Sequence, residues 1–295
     1  MNNQILLTGA TGFIGSHLLG ELIVNDYEVV ILVRKESNFW RINQIKNYSI
    51  FELENDLSNL DELFHKHRIS AIVHLATEYG RNSDYSKVIK TNLLLSVRLV
   101  ELAIINEVEL FINTDTFSSK FPESIYLKNY ISSKIFFKNY LSSIKNIKVA
   151  NMQLEHVYGE NDSEGKFFNY LLKKLMNGNE VIELTEGSQK RDFIYVKDVV
   201  SAYISVLKSK NDFQFMEFEV GTGNSIRVRD FVTELHKNFK SNSKLIFGAI
   251  PTRSDEIEDS RADISSLREI GWKSKYSLEQ SFEIIQTFMI NKRVG

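Results

Sequence analysis

The stretch Thr8-Gly9-Ala10-Thr11-Gly12-Phe13-Ile14-Gly15 decides how this chain is read. The four residues before it, Gln4-Ile5-Leu6-Leu7, form a short apolar run that predicts a buried strand. After it, Phe13, Ile14, Leu18, Leu19, Leu22 and Ile23 recur at helical intervals. Gly9, Gly12 and Gly15 therefore lie on a strand-to-helix turn. In such a turn one glycine permits the tight reversal, one lets backbone approach a pyrophosphate, and one lets helix pack on strand. The helix N-terminus adds unpaired N–H groups and a positive dipole end. A glycine-rich turn without a ligand is the plain alternative; the position between strand and helix favours dinucleotide binding, with Thr11, Phe13 and Ile14 as further contacts.

The next apolar run, Glu28-Val29-Val30-Ile31-Leu32-Val33, ends in Arg34-Lys35. An NAD-binding chain often carries Asp or Glu there for the ribose 2′-hydroxyl, whereas Arg can pair with a 2′-phosphate. Arg34 and Lys35 thus point to NADP(H), against a reading as solvated loop charges.

The 295 residues suffice for one large core or two lobes. Net charge is −2, and the 36 Lys and Arg are interspersed with 38 Asp and Glu, which argues against nucleic acid. There is no Cys, so disulfides, thiolate chemistry and Cys-based metal sites are excluded, and the six His do not cluster at ligand spacing; no metal is expected. No signal segment or long apolar run is seen, so a soluble cytoplasmic protein is expected.

Strands predicted near 4–8, 28–33, 48–52, 70–75, 108–114 and 147–154 alternate with helical stretches, the pattern of an α/β, doubly wound parallel sheet. The second half changes character after the polar loop Gly159–Gly165, which suggests a smaller C-terminal lobe interleaved with the first. The expected division is a nucleotide-binding domain over 1–155, with 195–220 returning to its sheet, and a substrate lobe over 156–295. Ligands of such sheets bind beyond the strands' C-terminal ends. There Asp56, beside Leu57, can accept from an adenine amine or cap the helix that follows. Leu75, Ala76 and Thr77 leave room for the nicotinamide half, and Asn113-Thr114-Asp115-Thr116 forms a polar cluster after an apolar strand.

Tyr130 and Lys134 stand four apart on a predicted helix and share a face. A phenol has a pKa of about 10, and a neighbouring ammonium lowers it. Tyr130 as proton donor, Lys134 beside it and Thr114 supplying a hydroxyl make a site that polarises a carbonyl for hydride transfer. A surface Tyr–Lys pair is the plain alternative; the upstream glycine turn and Thr114 favour catalysis.

The glycine turn, Thr114 and Tyr130-Ile131-Ser132-Ser133-Lys134 resemble the extended short-chain dehydrogenase/reductases, the NAD-dependent epimerase/dehydratase group, along nearly the whole chain. Asn92 in Lys90-Thr91-Asn92-Leu93 matches the family's helix asparagine, on the cofactor side. Gln189 to Val199 matches a later motif in which the arginine, here Arg191, meets sugar-nucleotide phosphates; alone, Arg191 would read as an ion pair with Asp192. Phe218 to Gly223, Arg253 and Gly271-Trp272 also fit. Within the family, the segments His74 to Gly80, Asn113 to Phe117, Leu154 to Gly159 and Phe247 to Ile250 look like those of enzymes that use NADPH to reduce the C4 ketone of CDP-4-keto-3,6-dideoxyglucose for bacterial O-antigen. The resemblance implies Glu78, Thr114, Asp115, Thr116, His156, Arg191 and Arg253 as substrate contacts, a CDP- or dTDP-linked 4-keto sugar as substrate, and a homodimer.

Departures bear on the reaction. Dehydratases of the family carry Thr-Asp-Glu where this chain has Thr114-Asp115-Thr116, and threonine cannot replace the glutamate as a base at neutral pH. Gln153 and His156 replace residues common in relatives. Three alternatives stay open: a reductase giving dTDP-fucose, a nucleotide-sugar 4-epimerase with tightly held NAD⁺, and a non-catalytic NADP-binding protein.

Overall fold

The computed structural model describes residues 4–81, 84–178 and 180–294. The chain runs β1 (Gln4–Thr8), α1 (Phe13–Val24), β2 (Glu28–Arg34), β3 (Tyr48–Leu53), α2 (Leu60–Lys66), β4 (Ala71–His74), α3 (Tyr85–Ile89), α4 (Leu95–Ile105), β5 (Leu110–Thr116), α5 (Lys128–Ser143) and β6 (Lys148–Leu154). A π-helical turn, Lys90–Leu94, joins α3 to α4. Beyond β6 come β7 (His156–Tyr158), α6 (Phe167–Met176), β8 (Val181–Leu184), β9 (Lys190–Arg191), β10 (Phe193–Tyr195), α7 (Val196–Lys208) and β11 (Phe215–Val220). The chain closes with β12 (Ile226–Arg227), α8 (Val228–Asn238), β13 (Lys244–Phe247), β14 (Asp259–Ser260), α9 (Ser265–Glu269) and α10 (Leu278–Val294).

Seven strands form one sheet in the order β11-β6-β5-β4-β1-β2-β3, every pairing parallel. This is the doubly wound Rossmann-type arrangement that the alternating pattern predicts. The strands are apolar on both faces because helices cover both. Ile5, Leu7 and Ile31 face one core with Leu18, Leu19 and Leu22 of α1 and Val199 and Tyr203 of α7. Leu6, Val30 and Leu32 face a second core with Leu99, Val100 and Ala103 of α4 and Phe137 and Leu141 of α5. Alternate side chains of one strand thus enter different cores. The short strands β7 to β10 and β12 to β14 pair in three small sheets beside the main one.

One boundary differs consequentially from its sequence expectation. The sequence pattern ends strand β5 at Thr114, but it continues to Thr116, because Thr114, Asp115 and Thr116 keep register with Met152, Gln153 and Leu154 of β6. Strand alternation then puts Thr114 and Thr116 on one face and Asp115 on the other.

The glycine turn is packed to contact. Gly9 has φ +70°, and a Cβ there would lie 2.8 Å from Ala76 N and from Leu75 C. A Cβ on Gly15 would meet the Gly9 carbonyl oxygen at 2.1 Å. Neither obstacle is a flexible side-chain end, so a side chain at Gly9 must push the β4 loop away and one at Gly15 must drive α1 off the turn. Gly15→Ala is expected to lose about 1–3 kcal/mol, as overpacking does. Thermal unfolding checks this, and an unchanged Tm would contradict the account of the turn.

Candidate active site

The parallel strands all end at one edge, and a cleft of about 730 Å³ opens there. Its first half is built by the glycine turn. Gly9, Thr11, Gly12, Phe13, Ile14 and Gly15 line it, with Leu75, Ala76 and Thr77 opposite and Arg34 at the end of β2. Helix α1 opens at Gly12 with no capping side chain and no acid in its first turn among the described residues. Its free N–H groups and the clearance left by the glycines fit a dinucleotide pyrophosphate.

Arg34 reaches solvent, with its Nε 3.4 Å from Glu36 Oε1. Ser37, whose hydroxyl accepts from the Arg34 N–H at 2.9 Å, also lines the cleft; no motif in the sequence singled it out. Lys35, Asp56, Leu57 and Asn92 are not among the lining residues. Asp56 is exposed, and its Oδ1 accepts from the Ser58 N–H at 3.0 Å, while α2 starts after Asn59.

Asn92 is buried in the π turn, where an extra residue per turn aims a side chain out of the regular helical register. Its Oδ1 accepts from the Glu78 N–H at 2.8 Å. Its Nδ2 donates to the Glu78 carbonyl at 2.9 Å and to Ser133 Oγ at 3.0 Å. Ser133 in turn donates to the Tyr130 carbonyl at 2.7 Å. Asn92 therefore clamps the β4 loop to α5.

A second buried chain ties β1 to the same turn. Thr8 Oγ1 accepts from the N–H groups of Leu75 and Ala76 at 3.1 and 3.0 Å, so its own proton goes to His74 Nδ1 at 2.8 Å. That fixes the tautomer: His74 Nε2–H donates to Ser96 Oγ at 2.8 Å, and Ser96 donates to the Thr91 carbonyl at 3.3 Å. Burial, then the nearby Lys134, draws the His74 pKa down to about 3, so the ring is neutral.

Tyr130 and Lys134 are both buried on α5. The sequence predicts that Lys134 lowers the Tyr130 pKa, and here the structure differs. Burial holds the phenol well above its usual range, Tyr79 and Asp115 push the same way, and Thr116 opposes them. Lys134 Nζ instead donates to the Thr114 carbonyl at 2.7 Å and stands 5.9 Å from the Tyr130 ring centre. Burial also lowers the Lys134 pKa to about 8, with Asp115 opposing. Desolvation disfavours the charged form of both groups.

The two threonines at the end of β5 have different partners. Thr114 Oγ1 lies 2.7 Å from the hydroxyl of buried Tyr203 on α7. Thr116 Oγ1 accepts from the Ser118 N–H at 3.3 Å. Tyr79, not singled out by any spacing in the sequence, packs on Tyr130 with ring centres 4.8 Å apart and the planes tilted by 34°. The Asp115 carboxylate is taken up internally by the Thr116 N–H at 2.8 Å, Ser119 Oγ at 2.7 Å and Asn151 Nδ2 at 3.2 Å.

The second half of the cleft holds Glu78, His156, Arg191 and Arg253. The Glu78 carboxylate accepts from the Gly80 N–H at 3.1 Å. The His156 ring lies on Phe117 with centres 4.2 Å apart, and burial lowers its pKa while Glu155 opposes. Arg191, nearly inaccessible, donates to its neighbour's carbonyl at 2.6 Å and pairs with Glu256, not with Asp192. Arg253 also pairs with Glu256, at 2.8 Å, and lies over the Tyr126 ring at 4.2 Å.

The sequence profile of the NAD dependent epimerase/dehydratase family matches residues 5–221. The chain is 40% identical over 288 residues to CDP-abequose synthase of Salmonella muenchen, covering 95% of this chain and 96% of the relative. It is 33% identical over 293 residues to CDP-abequose synthase of Salmonella typhimurium, covering 96% and 97%. Among solved structures it is similar to UDP-glucose 4-epimerase of Thermotoga maritima with UDP-glucose, with a TM-score of 0.86 and 23% identity over 98% of this chain and 99% of the other. That last likeness is one of fold.

The clamp can be tested apart from any reaction. Asn92→Ala strands the Glu78 amide and carbonyl and should cost about 1–3 kcal/mol. Thermal unfolding should show the loss, and hydrogen exchange at the Glu78 amide should quicken. Unchanged exchange there would mean that the β4 loop is held by something else.

Proposed function

The chain belongs to the NAD dependent epimerase/dehydratase family, and from that membership we propose that it is an NADPH-dependent 4-ketoreductase of a nucleotide-linked 4-keto-6-deoxyhexose. The substrate in this reading is CDP-4-keto-3,6-dideoxyglucose and the product CDP-abequose, for O-antigen synthesis. The observation that carries it is 40% identity across nearly the full length of both this chain and a CDP-abequose synthase.

Nicotinamide, when bound, supplies a hydride to C4. The chain's own groups do the rest. Gly9, Gly12 and Gly15 with the α1 N-terminus hold the pyrophosphate, and Arg34 with Ser37 meets the 2′-phosphate, which favours NADPH over NADH. Tyr130 gives its proton to the oxygen on C4, and burial keeps that proton on the phenol until it is needed. Thr114 lends its hydroxyl to the same oxygen, and the Lys134 ammonium nearby steadies the phenolate left behind. Thr116 stands where dehydratases carry their glutamate, so it is not a base set to remove a C5 proton.

In this reading residues 1–155 serve the cofactor, with 195–220 returning to them through α7 and β11, and 156–295 serve the sugar nucleotide. Arg191 and Arg253 receive the diphosphate, and His156 lies beside the sugar. The enzyme is a cytoplasmic homodimer that pairs through the π turn, α4 and α5, where Leu94, Ile105 and Phe136 stand exposed. No helix among the described residues is long and apolar enough to cross a membrane.

The test is NADPH consumption, followed by absorbance, with CDP- and dTDP-linked 4-keto sugars and product identification by NMR. Stoichiometric oxidation with the CDP sugar is expected. Turnover with the dTDP sugar alone would move the reading to a dTDP-fucose-forming reductase, and isomerisation without NADPH loss would make it an epimerase. Tyr130→Phe should retain NADPH binding and lose turnover by about 10²–10⁴. Lys134 is charged below about pH 8 and neutral above, so kcat/KM should fall as pH rises through about 8. A profile flat to about pH 10 would remove the Lys134 charge from the reaction.

A further inference from the structure

Two arginines of the substrate half share one acid. Arg191 comes from β9 and Arg253 from the irregular segment before β14. Glu256 Oε1 takes Arg191 Nη2, and Glu256 Oε2 takes Arg253 Nη2 at 2.8 Å and Nε at 3.2 Å. The neighbouring acids are engaged elsewhere. Asp255 accepts from the Ile125 and Tyr126 N–H groups, each at 3.1 Å. Glu155 is tied to Lys120 at 3.0 Å and to Ser260 Oγ at 2.8 Å.

We propose that Glu256 is an internal occupant of the diphosphate site: its carboxylate holds Arg191 and Arg253 in place until a nucleoside diphosphate group displaces it. The inference rests on the reading of those arginines as the diphosphate contacts. Its physical basis is the cost of a buried cation. Arg191 has a side-chain exposure of 5%, and an unpaired guanidinium at that depth is strongly disfavoured. The chain supplies its own anion, one carboxylate oxygen to each arginine, and so leaves both guanidinium forks short of the paired oxygens that a phosphate can offer. Glu256 lies on non-helical, non-strand backbone between exposed Ser254 and Glu258, so its side chain can turn out to solvent when replaced. A neutral sugar cannot displace it. A diphosphate can, because it carries more charge and more acceptor oxygens to the same two arginines. Glu256 is thus a positioning residue that sets the threshold for substrate entry.

The experiment titrates the NADPH-saturated enzyme with CDP, dTDP, UDP and GDP by calorimetry, and measures KM and kcat for the sugar nucleotide. Glu256→Gln should bind its preferred diphosphate about tenfold more tightly and lower KM with kcat unchanged. Glu256→Asp keeps the charge and should return affinity towards wild type. In an Arg191→Gln, Arg253→Gln background, Glu256→Gln should give no gain, because the carboxylate has nothing left to occupy. Unchanged or weaker binding by Glu256→Gln, beside normal binding by wild type, would overturn the inference alone. So would a gain that persists without the arginines, which would be a bulk charge effect. If wild type bound none of the four diphosphates, the functional reading itself would fall, and the inference with it.

Discussion

The Asn92 side chain bears the constraint on which the cleft depends. Its amide satisfies both backbone groups of Glu78 and reaches Ser133, one turn from Tyr130. Through Thr91 and Ser96 the same π turn meets His74, and through His74 it meets Thr8 at the end of β1. Four segments far apart in sequence are thereby fixed to one another: the strand before the glycine turn, the β4 loop, the π turn and the helix of Tyr130 and Lys134. The Thr8–His74, His74–Ser96 and Asn92–Ser133 links are fully buried and would be costly to leave unmade. Pre-set geometry of this kind lets a proton donor stand ready at a defined place.

The two halves of the cleft differ in how they treat charge. Around Tyr130, burial keeps the phenol protonated, the His74 ring neutral and the Lys134 ammonium marginal. Around Arg191 the charges are retained and paired, in the Arg191–Glu256–Arg253 group and the Lys120–Glu155 pair. The first half suits movement of a single proton, and the second suits recognition of an anion. The boundary between them runs along β5 and His156.

Much of this was legible in the sequence because it is local. The glycine turn, the apolar runs and the Tyr130–Lys134 spacing each lie within a few residues, and strand or helix periodicity exposes them. The hydrogen-bond partners of Thr114 and Thr116 were not legible. They depend on how far β5 keeps register with β6, and on Tyr203, which belongs to a helix much later in the chain. The part of Asn92 was hidden for the same reason: it requires a π turn, and nothing in Lys90-Thr91-Asn92-Leu93 signals the extra residue. Arg191 reads as an ion pair with its neighbour Asp192, yet Asp192 is filled by the Thr222 and Gly223 backbone and Arg191 turns to Glu256. Distant partners of this kind leave no periodic trace.

The last strand of the main sheet has a consequence for how the molecule comes into being. Strand β6 borders β5 on one side and waits for β11 on the other, while β7, α6, β8, β9, β10 and α7 all intervene in the chain. As synthesis proceeds from the N-terminus, the sheet therefore emerges with an open edge that stays unpaired until Phe215–Val220 has been made. An unpaired edge of a nascent sheet invites strand pairing with other chains. Closure of the edge by a late segment makes the architecture indivisible: neither half can be cut out, exchanged between relatives or inherited alone as a ready-made module without leaving the other with an unfinished sheet.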